Sequence, residues 1–364
     1  MRILYDGAIY ANQPAGGINR YFANLISRLP ENIKPALTTC QPQTINYPAH
    51  PNLETFYYQR FGLRPGFISY WLEQKYFQTI ALFNNFNIIH PTYYSLLINQ
   101  EFRRCKYPIV LTVWDMIHEL FGKPIVPKGL EVEKKRQAIL AAQAIICISE
   151  NTKNDLLELY SLPEDKVTIT YLASEIDISL SYGSEPVPSR PYFLYVGGRA
   201  GYKNFDGLLA AFAKVTSVQP DITLCVVGSP FKETEVKLIA ELNLSAHIEH
   251  YGYASDTHLA KLYRCSIALV YPSLYEGFGI PPLEAMSCGS AVVASNCSSI
   301  PEVVGDASIL FDPKSSSDLA DSLLFLLDHP LERDRLIDRG YQRSKSFSWD
   351  KTVAQTLEVY RTFA

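Results

Sequence analysis

The sequence predicts an α/β protein made of two doubly wound, parallel-sheet domains facing a central cleft. Three observations predict it. The chain has 364 residues, long for a single hydrophobic core, so two domains are expected. Short apolar runs alternate with helical patterns in both halves, and the runs are apolar throughout, as in parallel strands covered on both faces. A polar, proline-rich stretch, SYGSEPVPSR (181–190), separates the halves and reads as a linker.

Taken in order, RILYDG (2–7), NIIHPTY (87–93), IVLTVWD (109–115), AIICIS (144–149) and VTITYLA (167–173) read as strands of a first domain, residues 1–180. GINRYFANLISRL (17–29) and NTKNDLLELY (151–160) read as helices between them. A second domain, residues 191–345, follows with YFLYVGG (192–198), ITLCVVGS (222–229), IEHYGY (248–253), SIALVYPS (266–273), AVVAS (291–295) and SILFD (308–312). The tail, FSWDKTVAQTLEVYRTFA (347–364), is an amphipathic helix.

Composition removes several classes of function. The chain is 47% hydrophobic and 19% charged, with a formal net charge of −4. No basic surplus advertises nucleic acid or an anionic bilayer. No uncharged apolar run approaches the ~18 residues of a spanning helix, and MRILYDGAIY lacks the pattern of a signal peptide. The 7 cysteines are scattered with no C-x-x-C pair, which fits reduced thiols better than a disulfide frame or a zinc site. A cytoplasmic protein is expected.

Ligands of doubly wound sheets bind beyond the carboxyl ends of the strands, so the residues that carry chemistry are expected just after strands. After the first strand, AIYANQPAGGINR brings Gly16-Gly17 to a helix start, a turn that can also let an anion approach unpaired N–H groups. In WDMIHEL, Asp115 ends a strand and His118 follows; the pair reads either as a helix cap and a surface histidine or as acid/base groups at the cleft. In GRAGYKNFDG, Arg199 and Lys203 flank a glycine turn before a helix near Asn204. There they oppose the helix dipole unless they reach solvent or a phosphate is bound. Neither is expected to be core. EGFGIPPLE carries Glu276 on a loop and Glu284 on a helix whose first turn is set by Pro281 and Pro282, with Gly289 as its C-terminal cap. Glu284 is expected in that first turn, where the dipole alone favours it; that leaves Glu276 and Gly277-Phe278-Gly279 to be explained.

At these residues the sequence resembles the retaining nucleotide-sugar glycosyltransferases of family 4 (glycosyltransferases group 1), which have the GT-B fold. The resemblance rests on GRAGYKN, on the E-x₇-E pair in EGFGIPPLEAMSCGSAVVAS, on SIPEVVGDASILFDP (299–313), and in the first half on GGINRYFANL and ICISENTKNDL. It implies that Glu284 binds the donor ribose and that Glu276 lies by the transferred sugar. It implies that the backbone at Gly277, Phe278, Gly279, Ile280 and Leu283 lines the donor, and that Tyr253 and Ala254 meet the base. Arg199 and Lys203 are implied to hold the diphosphate, Gly16-Gly17 to close on it, and helix 346–364 to cross back to the first domain. Many relatives carry His-Asp where this chain has Trp114-Asp115, which leaves Asp115 and His118 as candidates for the sugar contact.

The implied reaction is transfer of a hexosyl unit, with retention, to a hydroxyl of a glycan or lipid-linked acceptor in exopolysaccharide or envelope polysaccharide synthesis. A UDP-sugar such as UDP-glucose is the first expectation for the donor and GDP-mannose the second. Glu276, Arg199, Lys203, Asp115 and His118 are the expected catalytic residues, with peripheral membrane contact at the inner face through the acceptor. No D-x-D occurs in the chain, so neither a metal nor another cofactor is expected, the cations taking the metal's place. The alternatives are a GT-B nucleotide-sugar epimerase, which needs no acceptor, and an inactive nucleotide-sugar-binding subunit, which turns nothing over.

Overall fold

The computed structural model describes residues 1–7, 9–10, 16–40, 46–58, 66–94, 105–122 and 130–363. They form two compact units: Met1–Leu172 with Trp349–Ala364, and Ala173–Ser348.

In the first unit, β1 (Arg2–Tyr5), β2 (Lys34–Thr39), β3 (Glu54–Tyr57) and β4 (Ile88–His90) form a parallel sheet in the order β3-β2-β1-β4. A second parallel set, β5 (Val110–Val113), β6 (Ala144–Cys147) and β7 (Val167–Ile169), is joined to β4 by a parallel bridge between Ile89 and Ile109. β4, β5 and β6 are buried along their whole length, which explains why they are apolar apart from His90 and Thr112. The final helix, Trp349–Arg361, packs in this unit. The Tyr360 hydroxyl lies 3.2 Å from the Tyr5 hydroxyl and 2.5 Å from His90 Nδ1, and His90 Nε2 is 2.9 Å from Thr112 Oγ1. Burial lowers the His90 pKa from 6.5 to about 3, so the ring is neutral and bridges two hydroxyls.

The second unit contains β8 (Tyr192–Val196), β9 (Thr223–Val227), β10 (Ile248–Tyr251), β11 (Ala268–Tyr271), β12 (Ala291–Ser295) and β13 (Ile309–Phe311). All pair in parallel, in the order β10-β9-β8-β11-β12-β13. This is the strand order of a dinucleotide-binding Rossmann sheet. Helix Phe205–Val218 buries Phe205, Leu208, Leu209, Phe212 and Val215, a single stripe at helical spacing, in the core of this unit.

The boundary between units falls after Leu172, ahead of residue 180, and the stretch read as a linker lies within the second unit. Polar contacts hold it there. Lys261 Nζ donates to the carbonyls of Gly183 and Glu185, both at 2.8 Å, and Thr257 Oγ1 donates to the Glu185 carboxylate at 2.7 Å.

Candidate functional site

The second sheet has its switch point between β8 and β11. These strands are neighbours, but the chain leaves them toward β9 on one side and β12 on the other. The loops after β8 and β11 therefore diverge and leave a crevice at the carboxyl ends. The loop after β8 carries Arg199 and Lys203, and the loop after β11 carries Glu276.

The two loops are fastened to each other. The Leu274 N–H donates to the Tyr202 carbonyl at 2.7 Å. Asn204 Nδ2 donates to the carbonyls of Pro272 (3.1 Å) and Pro313 (2.8 Å). Asn204 has a left-handed backbone, φ 53°, which asparagine tolerates better than most residues. The Glu276 N–H donates to Ser298 Oγ at 2.9 Å, and the Ser299 hydroxyl lies 2.9 and 2.7 Å from the Glu276 and Phe278 carbonyls that accept from it. Ser298 itself has φ 51°, an uncommon conformation for a residue with a side chain and one typical of functional loops.

This scaffold brings together two of the residues singled out from sequence. Lys203 Nζ lies 2.7 and 2.8 Å from the two Glu276 carboxylate oxygens. The side chains are 21% and 9% exposed, so the pair is partly withdrawn from water. Lys203 also lies 5.3 Å from the Tyr202 ring and 5.9 Å from the Tyr271 ring.

Gly279 caps helix Ile280–Ser287 with φ 127°, a backbone that residues with a Cβ rarely adopt, and the two prolines occupy the first turn. Glu284 lies beyond that turn, not within it as expected. The dipole of the first turn therefore does not account for it. Its buried carboxylate accepts from the Tyr263 hydroxyl at 2.9 Å. Burial, with the Glu284 charge beside it, raises the Tyr263 pKa well above 10, so the phenol remains a donor. Phe278 and Leu283 are buried, with Phe278 edge-on to Phe347 at 5.7 Å. Tyr253 is 87% exposed on the loop after β10, next to Ala254 and the Ser255 cap of helix Asp256–Cys265.

Arg199 corrects the expectation from sequence. Its side chain is 2% exposed, with Nε donating to Glu235 Oε1 at 3.1 Å and Nη2 donating to the carbonyls of Ser229 and Pro230 at 2.8 Å. It is a buried, ion-paired group, not a surface charge. Glu235 was missed from sequence. Its signal was a glutamate three residues into the KETE segment after β9, where helix-capping acids fall.

In the first unit, Gly16 precedes helix Gly17–Ser27 with an extended backbone, and a Cβ on Gly17 would meet nothing within 4 Å. Residues 11–15 of the preceding loop lie outside the described residues. Trp114 is core, packed edge-on to Tyr21 at 4.9 Å and Phe22 at 6.0 Å. Asp115 Oδ1 accepts the Ile117 N–H at 3.0 Å, a local turn, and stands 3.9 Å from Lys135 Nζ. Lys135, also missed from sequence, is 1% exposed and bonded to Glu119 at 2.9 Å. His118 is half-buried on the short helix Ile117–Phe121.

Among the described residues no helix is long and apolar enough to cross a membrane.

Residues 183–343 match the family description "Glycosyl transferases group 1", and residues 15–174 match "Glycosyltransferase Family 4". The O-antigen chain mannosyltransferase B of Escherichia coli is 32% identical over 237 residues, 62% of this chain and 62% of that protein. The MMP alpha-(1->4)-mannosyltransferase of Mycolicibacterium hassiacum is 32% identical over 65% of this chain and 59% of its own length. The matches thus span less than two thirds of either relative. Among solved structures, sucrose-phosphate synthase from Thermosynechococcus elongatus superposes with a TM-score of 0.80 at 20% identity, over 99% of this chain and 98% of the other. Anabaena HepE in complex with UDP and glucose does so with 0.73 at 18% identity, over the whole of both chains. At such identities the superpositions speak for the fold. The two family matches together take in both halves of the chain, and with the Rossmann order of the second sheet they make it a member of the family 4 glycosyltransferases, of GT-B fold.

Proposed function

We propose that the chain transfers a hexosyl unit from a nucleotide diphosphate sugar to a hydroxyl of a glycan or lipid-linked acceptor, with retention at C1 and without a divalent metal. The observation that carries the reading is the Lys203–Glu276 pair at the switch point of the second sheet, with Glu284 eight residues further on. A loop that clamps a carboxylate on a lysine there has both groups a diphosphate sugar requires: a cation for the phosphates and an acceptor for sugar hydroxyls. Glu284, steadied by Tyr263, suits a ribose diol.

In the proposed reaction the C1–O bond to the diphosphate breaks and the acceptor oxygen bonds to C1 on the same face. The acceptor proton passes to the departing phosphate oxygen. Lys203, supported by Arg199, meets the charge that develops on the leaving group, and such preorganised electrostatics are a dominant catalytic term. Asp115 and His118 are proposed for the acceptor side. The mannosyltransferase relatives shift the preferred donor from UDP-glucose toward GDP-mannose. The acceptor proposed is an envelope or exopolysaccharide intermediate.

The test is thermal shift against UDP, GDP, ADP and their sugars, followed by transfer or slow donor hydrolysis in excess EDTA. A donor at 100 Kd stabilises the fold by ~2.7 kcal/mol. If no sugar nucleotide shifts the transition, the donor reading is wrong. If EDTA abolishes turnover and Mg²⁺ restores it, the metal-free mechanism is wrong.

A further inference from the structure

Glu235 lies outside every role assigned above, yet it is the residue that fixes Arg199. A guanidinium carries five N–H donors in one plane. Three are used inside the protein, one from Nε to Glu235 and two from Nη2 to the carbonyls of Ser229 and Pro230. The rings of Phe231 and Phe205 lie 4.8 and 5.5 Å from the guanidinium carbon. Glu235 is itself held: its Oε2 accepts the Lys232 N–H at 2.7 Å, and the residue is 6% exposed. His250 Nε2, 3.0 Å from the Gly228 and Ser229 carbonyls, steadies the same turn.

The two remaining donors are on Nη1. That atom is buried and has no hydrogen-bond partner among the described residues. A shielded cationic donor without an acceptor is unfavourable, so one that persists calls for a reason, and a role in holding a ligand is one such reason. Nη1 lies beside the glycine turn of the crevice. A Cβ built on Gly228 would stand 3.7 Å from Nη1 and only 2.6 Å from the Gly197 carbonyl, so that position excludes a side chain. Gly197 and Gly198 follow β8, and a Cβ on either would meet nothing within 4 Å.

We propose that Glu235 is a positioning residue for diphosphate binding. By holding Nε, it commits one edge of the Arg199 fork to the protein and reserves the Nη1 edge for the anion at the Gly197–Gly198 turn. The shielding of Nη1 means that the guanidinium must shift within its cage to meet the anion, and the charged Nε contact keeps that shift small. The inference rests on the donor reading given above. Its competitor is that Glu235 does no more than cap helix Glu233–Glu241.

The experiment compares wild type, E235Q, R199K and the double variant. Affinities for UDP, GDP and the matching nucleosides are measured by calorimetry, alongside unfolding temperatures. E235Q is expected to weaken diphosphate binding about 10- to 100-fold, the range for a lost hydrogen bond to a charged group. Nucleoside binding should change less than about twofold, and E235Q should add little on top of R199K. Equal losses for nucleoside and diphosphate, or full additivity with R199K, would establish the cap alone. If wild type binds UDP or GDP and E235Q binds it equally well, the proposal falls and the donor reading stands. If wild type binds neither, the donor reading falls and takes the proposal with it. Should E235Q fail to fold, E235D, which keeps the charge but shortens the reach, carries the same comparison.

Discussion

Replacing Glu276 by glutamine should make the protein bind a nucleoside diphosphate more tightly while abolishing transfer. In the resting structure Lys203 is committed to both oxygens of Glu276 at 2.7 and 2.8 Å. A diphosphate that uses Lys203 must first displace that carboxylate. At an effective dielectric of about 20, charges some 3 Å apart attract with about 5 kcal/mol before desolvation is subtracted. The net value of a hydrogen bond between charged groups is nearer ~1.5–3 kcal/mol. Lys203 keeps 21% of its side-chain surface in water and a displaced Glu276 can rehydrate, so the lower end applies. That is about a tenfold gain in affinity for UDP or GDP in Glu276→Gln. Calorimetric titration of wild type and Glu276→Gln reads it directly, because a free diphosphate carries no sugar for Glu276 to hold. Unchanged or weaker binding in Glu276→Gln would show that Lys203 does not exchange its carboxylate for phosphate.

Further outcomes follow from the same contacts. Glu284→Ala should raise the donor KM about 10- to 100-fold with kcat nearly unchanged, since ribose bonds persist from ground to transition state; a fall in kcat alone would contradict the ribose role. Arg199→Ala should destabilise the second unit by about 3–5 kcal/mol, because it strands the buried Glu235 carboxylate, and a wild-type unfolding temperature would refute this. His90 yields a pH dependence. Its folded pKa is depressed to about 3, so below 6.5 the unfolded chain binds a proton that the folded chain refuses. The stability it contributes is whole above pH 6.5 and declines as the pH falls toward 3, by up to ~5 kcal/mol. Urea unfolding of His90→Gln should show a shallower decline than wild type across that window; parallel curves would argue against a neutral buried ring.

The second sheet was legible because most of its strands are apolar runs closed by glycine, serine or proline, as doubly covered parallel strands look; IEHY of β10, an edge strand with Glu249 and His250, is the exception. β2 and β3 were not legible. KPALTT opens on Lys-Pro and closes on two threonines, and ETFY is only half-buried on an edge. Helix Gly66–Phe83 escaped for another reason: its apolar residues are spread around the axis, so no 3.6-residue period stands out. At the site, sequence placed Lys203 and Glu276 each after a strand, but their pairing depends on β8 and β11 being neighbours, a fact of topology 73 residues apart in sequence. The burial of Arg199 was invisible for the same reason, since Ser229, Pro230 and Phe231 come from the loop after the next strand and Glu235 from the helix that follows it.

The placement of helix Trp349–Arg361 imposes an order on synthesis. The first unit has its sheet strands on the chain by residue 172, yet the partner of His90 and Tyr5 is Tyr360. At ~5–20 residues per second, the ribosome needs roughly 10–40 s to cover the interval between them. Through that time the nascent first unit lacks the helix that meets Tyr5, His90 and Tyr21, while the second unit, contiguous in sequence, can close its own core. The half that is made first is thus finished last, and a pause or truncation near the 3′ end of the message would harm the amino-terminal unit more than the one beside it.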